Sequence, residues 1–170
     1  MVCGMDDDSL FSEVQWFRAN PVVIVVWGAA LLIWWGFFRQ IIEGVPFGSN
    51  PAPDWLMWVI LAAFGICMPA LFLALRLEVR VGDGRLSYRV YPVHLQFREV
   101  SCREITMAES VIYRPVREYG GWGFRRGRGD YAYTVSGNRG VRISLVDGSS
   151  KLIGSQRANE LAAALHSCMG

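Results

Sequence analysis

Two long apolar stretches without a charged residue dominate the first half of this chain. The first runs from Val22 to Phe38 and holds 17 residues, and the second runs from Trp55 to Leu75 and holds 21. A helix rises about 1.5 Å per residue, so helices of this length match the ~30 Å hydrocarbon core of a bilayer. The sequence therefore predicts a transmembrane hairpin over residues 21–77, with helices at about residues 21–38 and 55–75.

A cleaved signal peptide is the alternative interpretation of the first stretch. Such a peptide needs a basic leader, a shorter apolar centre and small residues at its cleavage site. Here the leader carries the acidic run Asp6 to Asp8, and the stretch ends in large aromatic residues such as Trp34 and Phe37. These features favour a membrane anchor preceded by an N-terminal leader of residues 1–20.

The arginines predict the orientation of the hairpin. The connection between the two stretches carries one base, Arg39, together with the acids Glu43 and Asp54. Basic residues concentrate on the cytoplasmic side of membrane proteins. Four arginines follow the second stretch closely, namely Arg76, Arg80, Arg85 and Arg89. We therefore expect a multi-pass protein of the cell (plasma) membrane with both termini in the cytoplasm.

Tryptophans give a second prediction about the membrane, because amphipathic rings prefer its interfaces. Trp34 and Trp35 are expected to close the first helix, while Trp55 and Trp58 open the second, so the four should share one outer level. Trp16 is expected at the inner interface. Neither stretch contains an ionisable acid or base, which argues against an ion path built from such groups.

Residues 78–170 change to a period of two, which is typical of strands. Tight turns are predicted at Asp83-Gly84, Ser136-Gly137-Asn138 and Asp147-Gly148. Ser155 is the expected N-cap of a final helix that contains Leu161 and Leu165. The six or seven short strands are expected within residues 77–81, 86–90, 95–97, 107–113, 131–135, 141–145 and 151–153. This pattern predicts an α+β protein with a cytosolic antiparallel barrel or sandwich and a C-terminal helix.

Three short motifs carry a resemblance to a known group of proteins. They are Tyr119-Gly120-Gly121-Trp122-Gly123, the stretch Ser136 to Val141, and Ile153-Gly154-Ser155-Gln156-Arg157. The region resembles uncharacterised prokaryotic membrane proteins that have two helices and a pleckstrin-homology-like (PH-like) domain. The resemblance implies a PH-like fold, and it implies no activity because such families lack an established one.

The segment from Gly120 to Gly129 is rich in glycine and arginine. Exposed arginines can hold phosphate or carboxylate oxygens in bidentate fashion, so Arg125, Arg126 and Arg128 are the possible contacts to anionic lipid headgroups. The alternative interpretation is a bulged hairpin in which Trp122 packs into the barrel and the arginines are solvated.

No recognised catalytic, cofactor or metal motif is present in the sequence. Cys3, Cys67, Cys102 and Cys168 lack metal-ligand spacing and are expected to be isolated thiols of a reducing compartment. His94 and His166 stand alone, and the basic residues alternate along strands instead of forming a stripe for nucleic acid. We therefore expect no catalytic residue, no cofactor, no metal and no nucleic-acid partner.

These features together predict a membrane-anchored PH-like module that binds or scaffolds and is not an enzyme. Its expected partners are the lipid bilayer and a protein, which includes the possibility of a homo-oligomer. Two alternatives remain open, an anionic-lipid sensor that uses the arginine-rich loop and an accessory subunit of a membrane enzyme or transporter.

Overall fold

The computed structural model describes residues 9–127 and 130–170, which form an α+β protein with two compact units. The first, called the hairpin unit here, is Phe17–Ala74. The second, called the β unit, combines the chain up to Trp16 with Leu75–Gly170. The predicted α+β class, the two apolar helices and the C-terminal helix are confirmed.

The hairpin unit consists of helix α1 (Val22–Ile42) and helix α2 (Asp54–Ala74), each 21 residues long. Their mean hydropathies are 1.9 and 2.4, and only 17% and 22% of their most apolar windows are buried. Both helices are thus long and apolar enough to cross a membrane. Helix α1 does not end near residue 38 as predicted but continues to Ile42, and Arg39 in its last turns pairs with Glu43, just beyond its end, at 2.9 Å.

The two helices contact each other closely around Gly65. Pro69 has no N–H to offer the Gly65 carbonyl four residues earlier, and the Trp34 indole Nε1 donates to that oxygen at 3.1 Å. A Cβ on Gly65 would lie 2.9 Å from Leu61 Cδ1 and 3.5 Å from Ile33 Cγ2. The missing side chain and the missing N–H therefore both serve the contact between the helices.

Polar side chains satisfy the backbone at both ends of the hairpin unit. Gln40 Nε2 donates to the Ala52 carbonyl at 2.6 Å and to Asp54 Oδ1 at 2.9 Å. At the opposite end, Arg18 Nε donates at 3.4 Å to the carbonyl of Leu73, in the last turn of α2. Carbonyls at a helix C-terminus lack helical partners and carry partial negative charge, so an arginine is well suited to this position.

The β unit contains two sheets and two further helices. The first sheet has the antiparallel order β1-β2-β3-β4, and the second has the order β5-β8-β9-β7-β6 with β7 and β9 parallel. Helix α3 (Pro115–Tyr119) follows β5, and helix α4 (Ala158–Met169) ends the chain. The strands are β1 Phe11–Trp16, β2 Arg76–Gly82, β3 Arg85–Tyr91, β4 Arg98–Ser101, β5 Ile105–Ile112, β6 Gly123–Arg126, β7 Asp130–Thr134, β8 Arg139–Leu145 and β9 Ser150–Gly154.

Alternate residues of the strands form the core of the β unit. Val79 on β2 and Ile143 on β8 are fully buried, as are Leu161 and Leu165 on α4. Helix α4 packs on β2, β5 and β8, so it covers the core with these two leucines. Burial of such aliphatic side chains contributes roughly 1.5–3 kcal/mol each to folding.

The strand count differs from the prediction, since nine strands lie in the described residues. The turn at Asp83-Gly84 is confirmed, with φ values of 50° and 67°. The expected strand at residues 95–97 is absent, and β4 begins only at Arg98. Strand β1 lies in the segment that the sequence interpretation left as a leader. Strand β6 lies in the glycine-rich segment and pairs antiparallel with β7, which agrees with the hairpin alternative.

Strand β1 lies within the predicted leader and pairs with β2. Its inward side chains include Glu13 and Gln15, both polar. Glu13 accepts the Ser155 hydroxyl at 2.5 Å and the Gln156 N–H at 3.1 Å, and Gln15 Nε2 donates to the Gly154 carbonyl at 2.8 Å. The leader is therefore tied to the chain that precedes α4, and the β unit is built from two distant stretches of sequence.

Ser155 precedes α4 but is not its N-cap, so that prediction is wrong. The helix begins at Ala158, and Ser155 Oγ accepts the Arg157 N–H at 3.0 Å while its hydroxyl bonds to Glu13. A carboxylate before the first turn of a helix also favours the helix dipole. Ser155 and Glu13 therefore bond to the backbone of the two residues before the helix, Gln156 and Arg157.

The expectation of isolated thiols fails for two of the four cysteines. Cys102 and Cys168 form a disulfide with a Cα–Cα distance of 5.8 Å, across 66 residues of sequence. Cys102 directly follows β4, and Cys168 lies in the last turn of α4. Spacing could not reveal the pair, because only the packing of α4 brings the two residues together. Cys67 is free, and Cys3 lies outside the described residues.

Replacing Glu13 by alanine is expected to destabilise the β unit by about 1–3 kcal/mol, because the Ser155 hydroxyl and the Gln156 N–H lose their acceptor. Near-ultraviolet circular dichroism of the full chain in detergent measures the unfolding midpoint. Glu109→Ala removes an exposed carboxylate of β5 and is the matched control. Equal midpoints for the two variants would contradict this role of Glu13.

Replacing Gly65 by leucine is expected to destabilise the hairpin unit by about 1–3 kcal/mol, because the new side chain must displace Leu61 and Ile33. Gly28→Leu adds the same side chain to α1 at a position with no neighbour within 4 Å. Tryptophan fluorescence during thermal unfolding in detergent compares the two. The contact at Gly65 is refuted if both variants unfold alike.

Candidate functional site

A cleft of about 800 Å³ opens in the β unit beside the short helix α3. Its lining residues come from the start and body of α3 and from the neighbouring strands β7, β8 and β9. They are Arg114, Arg117, Glu118, Tyr119, Asp130, Arg142 and Ser150.

A small apolar cluster supports the cleft. Tyr113, Tyr119, Ala132 and Leu152 are buried together, and the two tyrosine rings meet edge to face at 6.1 Å. Ala132 and Leu152 are register partners on the parallel strands β7 and β9. This cluster fixes the ring of Tyr119 and leaves its hydroxyl at the cleft.

The Tyr119 hydroxyl, the Asp130 carboxylate and the Arg142 guanidinium form the polar centre of the cleft. The hydroxyl donates to Asp130 Oδ2 at 2.6 Å, and Arg142 Nε lies 3.7 Å from the same oxygen. Gly127 donates its N–H to the Asp130 carbonyl at 2.8 Å. A Cβ on Gly127 would lie 2.6 Å from Tyr119 Cε1 and closer still to Asp130 Oδ1, so glycine is required there.

Burial and charge set the protonation states in the cleft. Burial, followed by the hydrogen bond to the Asp130 carboxylate, raises the pKa of Tyr119 to about 12. The neighbouring Tyr119 hydroxyl in turn raises the pKa of Arg142. At neutral pH Tyr119 is therefore protonated and Arg142 is a cation, and the positive charge of Arg142 attracts an anion.

Arginine dominates the charge of the lining, with three guanidinium groups against the carboxylates of Asp130 and Glu118. Glu118 Oε1 accepts the backbone N–H of Arg114 at 2.9 Å, which secures the first turn of α3. Elsewhere in the described residues, no group of three His, Cys, Asp or Glu side chains could hold a metal ion. The cleft is thus chemically fitted to hold an anion.

The predicted lipid contacts Arg125 and Arg126 lie on strand β6 and do not line this cleft. Arg125 Nε donates to the Trp122 carbonyl at 3.3 Å, and the Arg126 guanidinium lies 5.7 Å from the centre of the Tyr131 ring. Adjacent residues of a strand point to opposite faces, so these two arginines do not converge. The third predicted contact, Arg128, lies outside the described residues.

The structure separates the tryptophans that were expected to share one level. Trp34 bonds to Gly65 in the middle of α2, whereas Trp58 contacts Phe37 with ring centres 4.6 Å apart. Trp35 and Trp55 are exposed. The shared level fails because α1 continues to Ile42, which places Trp34 and Trp35 well before its end. Their role as interface anchors stays a prediction.

Trp16, the fifth predicted anchor, is the last residue of β1. The Arg76 guanidinium lies 5.1 Å from its ring centre and 4.8 Å from that of Tyr91. Trp16 and Arg76 are also register partners on β1 and β2. Its ring therefore contributes to the outer face of the first sheet.

The two histidines make different local contacts. His94 packs edge to face on Phe124 at 5.3 Å, and burial together with the Arg98 charge lowers its pKa. His166 Nδ1 lies 2.8 Å from the Ala162 carbonyl within α4. Neither residue lines the cleft.

The three sequence motifs meet in space as a structural junction. Trp122 Nε1 of the first motif donates to the Gly137 carbonyl of the second at 2.8 Å. Gly140 of the second motif is the register partner of Gly154 of the third, and a Cβ on Gly140 would lie 3.1 Å from the Ile153 carbonyl carbon. The motifs therefore report how the chain before β6 contacts the turn before β8 and how β8 pairs with β9, and only Tyr119 among them lines the cleft.

Sequence reasoning missed Arg142 as a cleft residue. It stands on β8 between Val141 and Ile143, both fully buried, so alternation already places it on the opposite face of the strand. That signal marks a face of the sheet and gives no hint of Tyr119 or Asp130 nearby.

These observations define an α+β protein with two long apolar helices and a β unit that carries an arginine-lined cleft. The chain belongs to a family of unknown function, DUF6141, which it matches over residues 5–170. No curated protein and no solved structure matches it.

The raised tyrosine pKa values predict a loss of stability at high pH. Tyr119 and Tyr113 keep their protons to about pH 12 in the folded state, whereas unfolded tyrosine releases its proton near pH ~10. The unfolded state binds fewer protons in this range, so the free energy of unfolding falls as the pH rises from about 10 to about 12.

Unfolding midpoints measured across this pH range, with tyrosinate absorbance as a second readout, test the prediction. Tyr119→Phe is expected to make the fall of the midpoint with pH shallower. Tyr113→Phe is the comparison, because it removes the other buried phenol whose pKa is raised. A slope identical to that of the wild type in both variants would refute the buried, neutral state of these rings.

Proposed function

We propose that this protein is a membrane-anchored binding module whose β unit recruits a protein partner or a second copy at the inner membrane face. The single observation that carries the proposal is the exposed apolar surface of α1 and α2. Only 17% of the most apolar window of α1 and 22% of that of α2 are buried. Core helices of a soluble protein bury most of such a surface, whereas membrane helices expose it to lipid.

The pairing of β1 with β2 supports an even number of crossings. Trp16 and Arg76 are register partners, and the hairpin unit lies between them in sequence. Both ends of a membrane hairpin must then reach the same side of the bilayer. Two membrane crossings satisfy this condition, whereas one crossing does not.

The arginine distribution supports a cytoplasmic position for both termini. Arg18 precedes α1 and four arginines lie within residues 76–89, against Arg39 alone at the opposite end of the hairpin unit, near the end of α1. The Cys102–Cys168 disulfide points the other way, because disulfides persist mainly in oxidising compartments. The arginines carry more weight, because the cytosol keeps even neighbouring thiols reduced.

The PH-like fold is part of the proposal. Two sheets that enclose one core and a C-terminal helix that covers it support this assignment. The parallel pair β7–β9 and the strand β1 contributed from before the hairpin depart from the simple antiparallel order expected of the β unit.

Two alternatives to the proposed role differ in what the protein would bind. An anionic-lipid sensor that uses Arg125, Arg126 and Arg128 is less favoured, because the first two arginines do not converge. An accessory subunit of a membrane enzyme or transporter keeps the same anchor and differs only in its partner. We propose no catalytic role for this chain.

Membrane anchoring and partner binding are tested together. The full chain is expected to stay in the membrane pellet after a carbonate wash, because both helices must leave an apolar phase to be extracted. In mild detergent it is expected to form an oligomer or to retain a partner protein. Light scattering measures the mass of the complex, and mass spectrometry identifies the proteins that it contains. Release by carbonate refutes the anchor, and a strict monomer that retains no protein refutes the scaffolding role.

The cytoplasmic placement predicts that Cys102 and Cys168 are neighbouring thiols in intact cells. Cells that express a variant lacking Cys3 and Cys67 are quenched in acid and alkylated in denaturant, before and after reduction. Two alkylated thiols without reduction are expected, and one disulfide after treatment of the membranes with an oxidant. A pair already joined in the untreated cells would place the β unit on the outer side.

A further inference from the structure

The arginine-lined cleft contains two polar atoms that make no hydrogen bond within the fold. Arg142 Nε and Ser150 Oγ are fully buried atoms, and neither makes a hydrogen bond in the described residues. Nearly all buried polar groups of folded proteins have a hydrogen-bond partner. Both of these donors line the same cleft, so an anion bound there would supply the acceptor.

The arginines at the rim of the cleft are also available. Arg114 and Arg117 are exposed, and no hydrogen bond or ion pair of the described residues holds either guanidinium. The two carboxylates of the lining are in contrast already engaged. Asp130 accepts the Tyr119 hydroxyl and faces Arg142, and Glu118 accepts the Arg114 N–H. The uncompensated charge of the cleft is therefore positive.

The donors come from rigid elements of the β unit. Arg142 lies on β8, Ser150 begins β9, and Arg117 lies on α3. Tyr119 and the buried cluster below it hold α3 against the sheet. Donors fixed in this way bind an anion without a large loss of side-chain freedom.

We propose that this cleft binds a phosphomonoester dianion, with Arg114, Arg117, Arg142 and Ser150 as the donors to its oxygens. A phosphomonoester has three terminal oxygens and about two negative charges at neutral pH, so it matches several arginines that line one cleft from different elements. A carboxylate offers two oxygens and one charge, and would leave donors unpaired. The phosphomonoester can belong to a soluble metabolite or to a phosphatidate headgroup.

This inference deepens the binding role proposed above and depends on it. The proposed function names a protein partner, whereas this site would make that recruitment depend on a small anion. Failure of phosphate binding in a protein that resists carbonate and keeps its partner would overturn the inference alone.

The test uses the full chain in phosphatidylcholine nanodiscs and measures the unfolding midpoint of the β unit. A ligand that binds only the folded state raises this midpoint by mass action. One arm adds inorganic phosphate against chloride at matched ionic strength. The other arm replaces part of the lipid with phosphatidate, a phosphomonoester, or with phosphatidylglycerol, a phosphodiester.

Arg117→Gln is the informative variant because its side chain is exposed and its loss should not disturb folding. Arg103→Gln removes one exposed arginine outside the cleft and is the matched control. We expect Arg117→Gln to weaken phosphate binding about tenfold or more, as for the loss of one charge-assisted hydrogen bond, and Arg103→Gln to leave it unchanged.

Each outcome either supports or overturns the proposed phosphomonoester site. A midpoint raised by inorganic phosphate and sensitive to Arg117→Gln supports the site with a soluble ligand. A midpoint raised only by phosphatidate, with the same sensitivity, supports it with a lipid headgroup. The proposal is overturned if neither arm raises the midpoint, if phosphatidylglycerol acts as well as phosphatidate, or if the two variants behave alike.

Discussion

The pairing of β1 with β2 is the constraint on which the rest of the structure depends. It joins residues that flank the whole hairpin unit, with Trp16 opposite Arg76. Because of this pairing, the chain before α1 is part of the β unit and the hairpin is an insertion between two adjacent strands. The first sheet is incomplete without β1, so the two stretches of the β unit must fold together.

The polar side chains of β1 carry this constraint through to the C-terminus. Glu13 and Gln15 face inward and bond to the chain that leads into α4, where the core would otherwise expose unpaired backbone groups. At the other end of α4, Cys168 lies against Cys102, which directly follows β4. Helix α4 is therefore held at both ends, over a core that it covers with Leu161 and Leu165.

The features predictable from the sequence are those with a local signal. Uncharged runs of helical length gave α1 and α2, and Asp83-Gly84 gave a turn that requires positive φ. Strand β1 was missed because its inward positions are Glu13 and Gln15, so the alternation of apolar and polar residues that marks a strand is absent. The reason for these polar residues is a contact with residues about 140 positions away, which no local pattern reports.

The cleft was missed for the same physical reason. Tyr119, Asp130 and Arg142 come from a helix and two strands, and the parallel pair β7–β9 that brings them together is not encoded in any short motif. The glycine-rich segment led to the prediction of an anion site at Arg125 and Arg126, yet its glycines have a role in the backbone conformation. Gly127 makes room for Asp130 and Tyr119, which is a structural role.

The accessibility of single cysteines in oriented membranes tests the central claim most directly. In a variant without native cysteines, Ser12→Cys and Asn159→Cys probe the two stretches of the β unit, and Ser49→Cys probes the connection between α1 and α2. A membrane-impermeant maleimide is expected to label positions 12 and 159 from one side only and position 49 from the opposite side. Labelling of all three positions from the same side would contradict the account of a membrane hairpin inserted between paired strands.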